Sequence, residues 1–292
     1  MIVGLCRFSF LSDDRGGWKS APSDVATARR TLFAKKRMEA RFELFQRYTL
    51  PSIRNQTDDD FRFLILTSTD MPKAYHDRLM DITADDSRIK ILSFPIQNSK
   101  SLMRRMFSKE FDQASRRISF RVDDDDGLSV NFIRRLRRTA EKRKSSRPFF
   151  LTFGKGIVIA DRGDRIGWAT ECAYPFSSVG LAFSASPGMK RCIYDFQHHD
   201  CHRHFDTVVL SGAPAFIQCV HGFNDTVTLK RVQGTKHFDR TTVADVARSF
   251  QREFPYLTAD SRQPGGSDPL TPSTFSPRET ALRWLDAIRG RG

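Results

Sequence analysis

Four consecutive carboxylates, Asp123-Asp124-Asp125-Asp126, follow the short apolar run Ile118-Ser119-Phe120-Arg121-Val122, and no other feature narrows the options of this chain as far. Neighbouring acids repel one another, so a folded protein keeps them only where water, a lysine or arginine, or a divalent cation compensates. Ile118, Phe120 and Val122 alternate, which predicts a buried strand whose C-terminal end delivers the acids into a crevice. In open α/β sheets ligands bind at that place. A strand ending in Asp-x-Asp suits a hard cation such as Mg²⁺ or Mn²⁺, with open positions for diphosphate oxygens and charge to stabilise a departing nucleotide. The competing reading is a solvated loop or a helix start, since aspartate favours turns and N-caps. The hydrophobic strand directly before the acids, and the helix-like run 131–136 after them, favour the cation.

At 292 residues the chain is long enough for a full core. Its 39% hydrophobic content and 25 phenylalanines point to a globular fold rather than disorder. No stretch approaches the roughly 20 apolar residues of a membrane span. The start, Met1 to Phe8, has an arginine in its apolar run and no small-residue cleavage site, so it reads as a first strand rather than a signal peptide. Five cysteines (6, 172, 192, 201, 219) are odd in number and widely spaced, which suits a reduced, cytoplasmic setting. The formal charge of +14 favours anionic partners, among them phosphorylated substrates and the anionic inner face of a membrane. The basic runs 134–138 and 141–144 read as one helix face. No zinc-finger spacing, RNP-type segment or helix-turn-helix signature is present, so nucleic acid is not expected.

Strands are expected at Ile2–Leu11, Phe61–Leu66 and Arg88–Phe94, then at the acid-bearing run. Helices are expected near 24–48, where Met38, Phe42 and Phe45 share a face, with Pro51 starting a further short turn. More helices are expected at Tyr75–Ile82 and Ser101–Arg117. This order gives an α/β sheet, parallel at least in its first half. After residue 147 come short β-like runs at 149–153, 156–160, 165–169, 179–185 and 215–220, read as antiparallel additions around an acceptor region. A helix is expected over 241–254, then a Pro/Gly/Ser-rich linker over 262–276 and a last amphipathic helix with Leu282, Leu285 and Ile288. The expected organisation is one domain over 1–240 with a C-terminal helical extension over 241–292.

Several segments in order carry a family likeness: Arg7-Phe8-Ser9-Phe10; Thr49-Leu50-Pro51-Ser52-Ile53-Arg54-Asn55-Gln56-Thr57 before Phe61-Arg62-Phe63-Leu64; Arg121 to Asp126; and Val220-His221-Gly222-Phe223-Asn224-Asp225. Over roughly residues 1–230 the chain resembles the rhamnosyltransferase family, within the glycosyltransferases of the GT-A fold. The resemblance implies a Rossmann-like mixed sheet flanked by helices, a nucleotide-sugar donor, for which dTDP-rhamnose is the candidate the family label suggests, and a polysaccharide or glycolipid acceptor. It implies that Asp123 and Asp125, extended by Asp126, hold Mn²⁺ or Mg²⁺, with Asp124 and Asp126 as the competing register. His221 would be a late metal or diphosphate contact, and neutral imidazole suits Mn²⁺ better than Mg²⁺. Arg7, Asp70 and Arg105, with Asp123 and Asp124, are the candidate nucleotide-sugar contacts, and Arg104 is a second guanidinium on the same helix as Arg105.

For an inverting enzyme the expected mechanism is direct displacement, with a carboxylate deprotonating the acceptor hydroxyl. Glu171, Asp200 and Asp206, and behind them Asp195, lie where acceptor-side residues are expected. Each has an ordinary structural reading as well. The cluster His198-His199-Asp200-Cys201-His202-Arg203-His204 lacks a second ligand set, so it reads as an acceptor-site or surface loop rather than a zinc site. Trp168 and Tyr174 are candidates for stacking on a sugar or for the core. Two other classes stay open: a non-enzymatic polyanion or membrane-surface binder, from the charge, and a metal-dependent phosphoryl-transfer enzyme, from the acids. The second is weakened because no Asp-x-Asp follows the first strand and no Gly-x-x-x-x-Gly-Lys loop appears.

Overall fold

A computed structural model describes residues 1–13, 24–111, 116–143, 147–161, 166–222 and 251–257, with the backbone alone for 166–168. The chain opens with β1 (Ile2–Arg7), α1 (Val25–Leu32), α2 (Lys35–Leu44), a π-helical turn (Phe45–Thr49) and α3 (Leu50–Arg54). It continues with β2 (Arg62–Ser68), α4 (Lys73–Thr83), β3 (Ile89–Phe94), α5 (Ser99–Glu110) and β4 (Arg117–Arg121). Then come β5 (Gly127–Leu128), α6 (Phe132–Lys142), β6 (Phe149–Phe153), β7 (Lys155–Asp161), β8 (Ile166–Ala173), β9 (Ala182–Ala185), β10 (Thr207–Leu210) and β11 (Phe216–Val220).

Among the described residues a seven-stranded sheet runs β10-β6-β9-β4-β1-β2-β3, and a four-stranded sheet runs β5-β11-β7-β8. β4, β1, β2 and β3 are mutually parallel. Both faces of this block are covered: Ile2 and Cys6 of β1 join one core cluster while Val3 and Leu5 join another. Phe63 and Ile65 of β2 divide from Leu64 and Leu66 in the same way. Burial on two faces is why these strands read as nearly continuous apolar runs. The expected antiparallel additions appear in the pairings of β9 with β4 and β6 and of β8 with β7. The expected β11 instead joins β7 in parallel, and two strands that were not expected, β5 and β10, pair with β11 and β6.

Several expected boundaries change. The long first helix breaks at Phe33 and Ala34, whose backbones leave the α region, and its end passes into the π-turn. The helix expected over Ser101–Arg117 ends at Glu110, where extended Phe111 stacks its ring on Phe107, and Arg117 already lies in β4. Most consequential for the site, β4 stops at Arg121, and Asp123–Asp126 form a turn in which the Asp126 N–H donates to the Asp123 carbonyl (3.3 Å). Extended-strand alternation therefore does not set the directions of the four aspartates. Residues 251–257 pack on the main domain through buried Phe254. The expected 262–276 linker and the helix with Leu282, Leu285 and Ile288 lie outside the described residues, as do Phe223-Asn224-Asp225.

Candidate functional site

The acidic turn sits at the C-terminal edge of the parallel strands, and its four side chains divide by environment. Asp124 and Asp126 are buried. Asp123 and Asp125 turn outward, with side chains 34% and 22% exposed. Asp124 points at Arg41 of α2 and pairs with it. Burial pushes the Asp124 carboxyl up to about 6 against the pull of the Arg41 guanidinium, and the Asp125 charge adds to the rise. The Oδ1 atom of Asp126 accepts the Cys219 backbone N–H of β11 (3.0 Å), and burial raises this carboxyl well above the ordinary range. Two residues on from Cys219, at the end of β11, His221 places Nε2 2.8 Å from Asp125 Oδ2. Cys219 of β11 thus holds Asp126 through its backbone N–H, and His221, just past the end of the strand, meets the preceding Asp125 by its side chain.

A solvent-open cleft lies against this turn, lined by Arg37, Ala40, Arg41, Leu44, Asp124, Asp125 and His221. Among the described residues no three His, Cys, Asp or Glu side chains converge as a complete ligand cluster. Asp125 and His221 do converge as two donors beside guanidinium groups. A carboxylate and a neutral imidazole would suit Mn²⁺ better than Mg²⁺, with the other positions left to phosphate oxygens and water.

On the other flank, Arg121 and Arg7, from the ends of adjacent strands β4 and β1, both lie against the Tyr194 ring, 5.2 and 5.9 Å from its centroid. The Tyr194 hydroxyl donates to the Leu5 carbonyl (2.7 Å), and burial raises its pKa despite the two cations. Asp123 is 3.9 Å from Arg121. The Nε atoms of Arg7 and Arg121 are buried without a hydrogen-bond partner. Two cations facing one carboxylate leave surplus positive charge beside the acidic turn, which suits an anionic ligand. His198 borders this group: its Nδ1 lies 2.9 Å from the Phe176 carbonyl oxygen, and its pKa is lowered to about 4 by burial, with His199 and Arg121 adding to the fall.

The remaining candidates sit in other contacts. Asp70 pairs with Arg29 (3.0 Å), and Arg105 donates to Gln97 (2.7 Å). Arg104 pairs with buried Asp195, which also accepts the Cys192 N–H (2.8 Å). Asp206 is largely exposed beside Arg143 (2.5 Å), Asp200 lies 3.7 Å from Arg203, and Glu171 is on β8, at the far edge of the small sheet from β5. The histidines of 198–204 turn to different partners, His202 to Phe176 and His204 to Phe196, while Cys201 is buried. All five cysteines are buried and free. Tyr174 packs at the core margin, and the Trp168 side chain lies outside the described residues. Arg41 and Tyr194 carry no signal in the sequence, and Thr49, Arg121 and Cys219 stand there only within a family-like segment, the acidic motif and the cysteine set, with no role assigned. Their places at the site come from pairings distant in the chain.

A family model described as "Putative rhamnosyl transferase" matches residues 1–233. Among solved structures, S. aureus TarS 1–349 in complex with UDP-GlcNAc is 8% identical, with 89% of this chain and 74% of that chain covered and a TM-score of 0.43. The same protein in complex with UDP is 10% identical, with 98% and 78% covered and a TM-score of 0.42. A longer S. aureus TarS chain is 9% identical at a TM-score of 0.40, and this chain spans 36% of its length. No curated protein matches the chain.

Proposed function

The chain belongs to the rhamnosyl transferase family, and from that premise we propose that it is a metal-dependent glycosyltransferase moving a sugar, with rhamnose the candidate, from a nucleotide-sugar to a polysaccharide or glycolipid hydroxyl. The observation that carries the reading is the Asp125–His221 pair, 2.8 Å apart on a cleft at the C-terminal edge of the parallel strands. In this reading Asp125 and His221 hold Mn²⁺ or Mg²⁺, with Asp123 the next outward carboxylate. The bound cation would supply charge stabilisation for the departing nucleoside diphosphate.

The chain's own residues do the rest. Arg7 and Arg121 bring cationic charge to the phosphate side, where charge-assisted hydrogen bonds fix orientation. Arg41 keeps Asp124 turned inward, so the turn shows the ligand its odd-numbered carboxylates. In the transfer, an acceptor oxygen attacks the anomeric carbon as the bond to the diphosphate oxygen breaks, and the acceptor proton goes to a base. Glu171, Asp200 and Asp206 stand as the candidates for that base in an inverting reaction.

Thermal unfolding with a panel of nucleoside diphosphates, each with and without Mn²⁺, tests this reading. The expected result is stabilisation by one nucleotide that needs Mn²⁺ and is lost in Asp125→Ala and His221→Ala. Stabilisation that ignores both the cation and these substitutions would refute it.

A further inference from the structure

We propose that Thr49 is a positioning residue whose hydroxyl, aimed by the π-turn, holds the Asp123–Asp126 turn in the shape that brings Asp125 to His221. This deepens the proposed cation site and rests on it for its catalytic meaning.

The helix geometry comes first. Arg41 and Thr49 are eight residues apart, which in an unbroken α-helix would leave them roughly 80° apart around the axis. From Phe45 the helix widens: the Leu50 N–H, one residue past Thr49, bonds to the Phe45 carbonyl, an i→i+5 link that takes one extra residue into the turn. The wider turn lessens that offset. As a result Arg41 reaches Asp124 while Thr49, from the same helical face, reaches the carbonyls of Asp126 (2.8 Å) and Asp123 (3.3 Å). The residues just before Thr49 anchor the π-turn elsewhere: Arg47 and Tyr48 both bond Asp161 of β7, at 2.6 and 2.5 Å.

Thr49 also departs from what a helical threonine ordinarily does, which is to bond the carbonyl four residues back. Thr83 and Thr139 follow that habit, donating to Leu79 (2.9 Å) and Arg135 (2.8 Å). The Thr49 hydroxyl, fully buried, reaches across to a turn more than 70 residues later in the chain. The turn's own closing bond is long at 3.3 Å, so the Thr49 hydroxyl is its shorter restraint. With the Cys219 amide on the Asp126 side chain, both ends of the turn are fixed and Asp125 projects from its middle.

Two variants and one control decide the matter. Thr49→Val keeps the shape and deletes the hydroxyl, Thr49→Ser restores it, and Asp125→Ala removes the proposed ligand. Crystal structures give the Asp125–His221 distance, and EPR titration gives the affinity for Mn²⁺ alone. Thr49→Val is expected to open that contact beyond hydrogen-bond range and to weaken Mn²⁺ binding roughly five- to tenfold, the scale of one lost hydrogen bond. Thr49→Ser should return both to the wild-type values. A Thr49→Val protein with the contact and the affinity intact, changed only in melting temperature, overturns the inference. If Thr49→Val does not fold, Thr49→Ala repeats the test, and failure of both to fold overturns it too, since the hydroxyl then serves the fold. Mn²⁺ binding unchanged in Asp125→Ala, or absent from wild type, counts against the cation reading alone, and the Thr49 inference is then decided by the distance.

Discussion

His198 shows how one side chain's surroundings set the charge of this edge of the molecule. Burial, reinforced by His199 and Arg121, lowers its pKa to about 4, although the Phe176 carbonyl and Asp123 oppose the fall. The imidazole is therefore neutral at neutral pH, and among the described residues Arg7 and Arg121 carry the positive charge against the Tyr194 ring. Linkage follows with a definite sign. Between the unfolded value near 6.5 and about 4 the unfolded chain binds a proton here that the native state does not. Stability from this group is complete above that window and is lost as pH falls through it. Urea midpoints measured from pH 7 to pH 4 should decline less steeply in His198→Gln than in the wild type. Equal slopes would mean that His198 protonates freely in the native protein.

At the scale of elements, the parallel block depends on one close approach. The Phe120 ring of β4 lies against Gly4 of β1, and a Cβ on Gly4 would come 2.2 Å from the ring. Gly4→Ala should cost about 1–3 kcal/mol in urea unfolding, the usual range for overpacking, and Gly4→Ala with Phe120→Leu should recover part of it. An unchanged midpoint in Gly4→Ala would show that the ring can swing aside. This block was legible in the sequence because Ile2–Cys6 and Phe63–Leu66 carry apolar residues on both faces, and because Ile118, Phe120 and Val122 alternate on one face of the acid-bearing run. The π-turn left none: Phe45-Gln46-Arg47-Tyr48-Thr49 reads as ordinary helix, and its extra residue is fixed by Asp161 and the acidic turn. β5 is two residues long and exists through its pairing with β11. Likewise the acids were legible as a site but not their directions, because Asp124 faces Arg41 across 83 residues and Asp126 faces the Cys219 amide across 93.

For the whole molecule, the basic surplus is partly absorbed within the fold. On α6, Arg137 pairs with Asp58 (2.7 Å) and Asp60 (3.0 Å), and Arg135 donates to the carbonyls of Ala213 and Ser211, while Arg143, just past its end, pairs with Asp206. That helix does not present an open row of arginines, which weakens the case for a polyanion-docking face. No helix among the described residues is long and apolar enough to cross a membrane. The four-stranded sheet is instead closed by a segment beyond the 233 residues matched by the family model. Phe254 is fully buried in a cluster with Leu44, Tyr48, Ile157, Ile159, Ile217 and Cys219. The Tyr256 hydroxyl donates to the Leu128 carbonyl (2.9 Å), and the Val130 N–H donates to the Glu253 carbonyl (2.9 Å). This segment packs behind both the π-turn and β11, the two elements that hold the acidic turn. Phe254→Ala should therefore cost about 3–5 kcal/mol in urea unfolding, as for a buried phenylalanine whose cavity cannot collapse. Because the cavity opens beside Tyr48 and Cys219, the variant should also lose affinity for Mn²⁺ at temperatures where it is still folded. A variant with wild-type stability and wild-type Mn²⁺ affinity would show that residues 251–257 do not seat on the small sheet in solution, and that the site is complete without them.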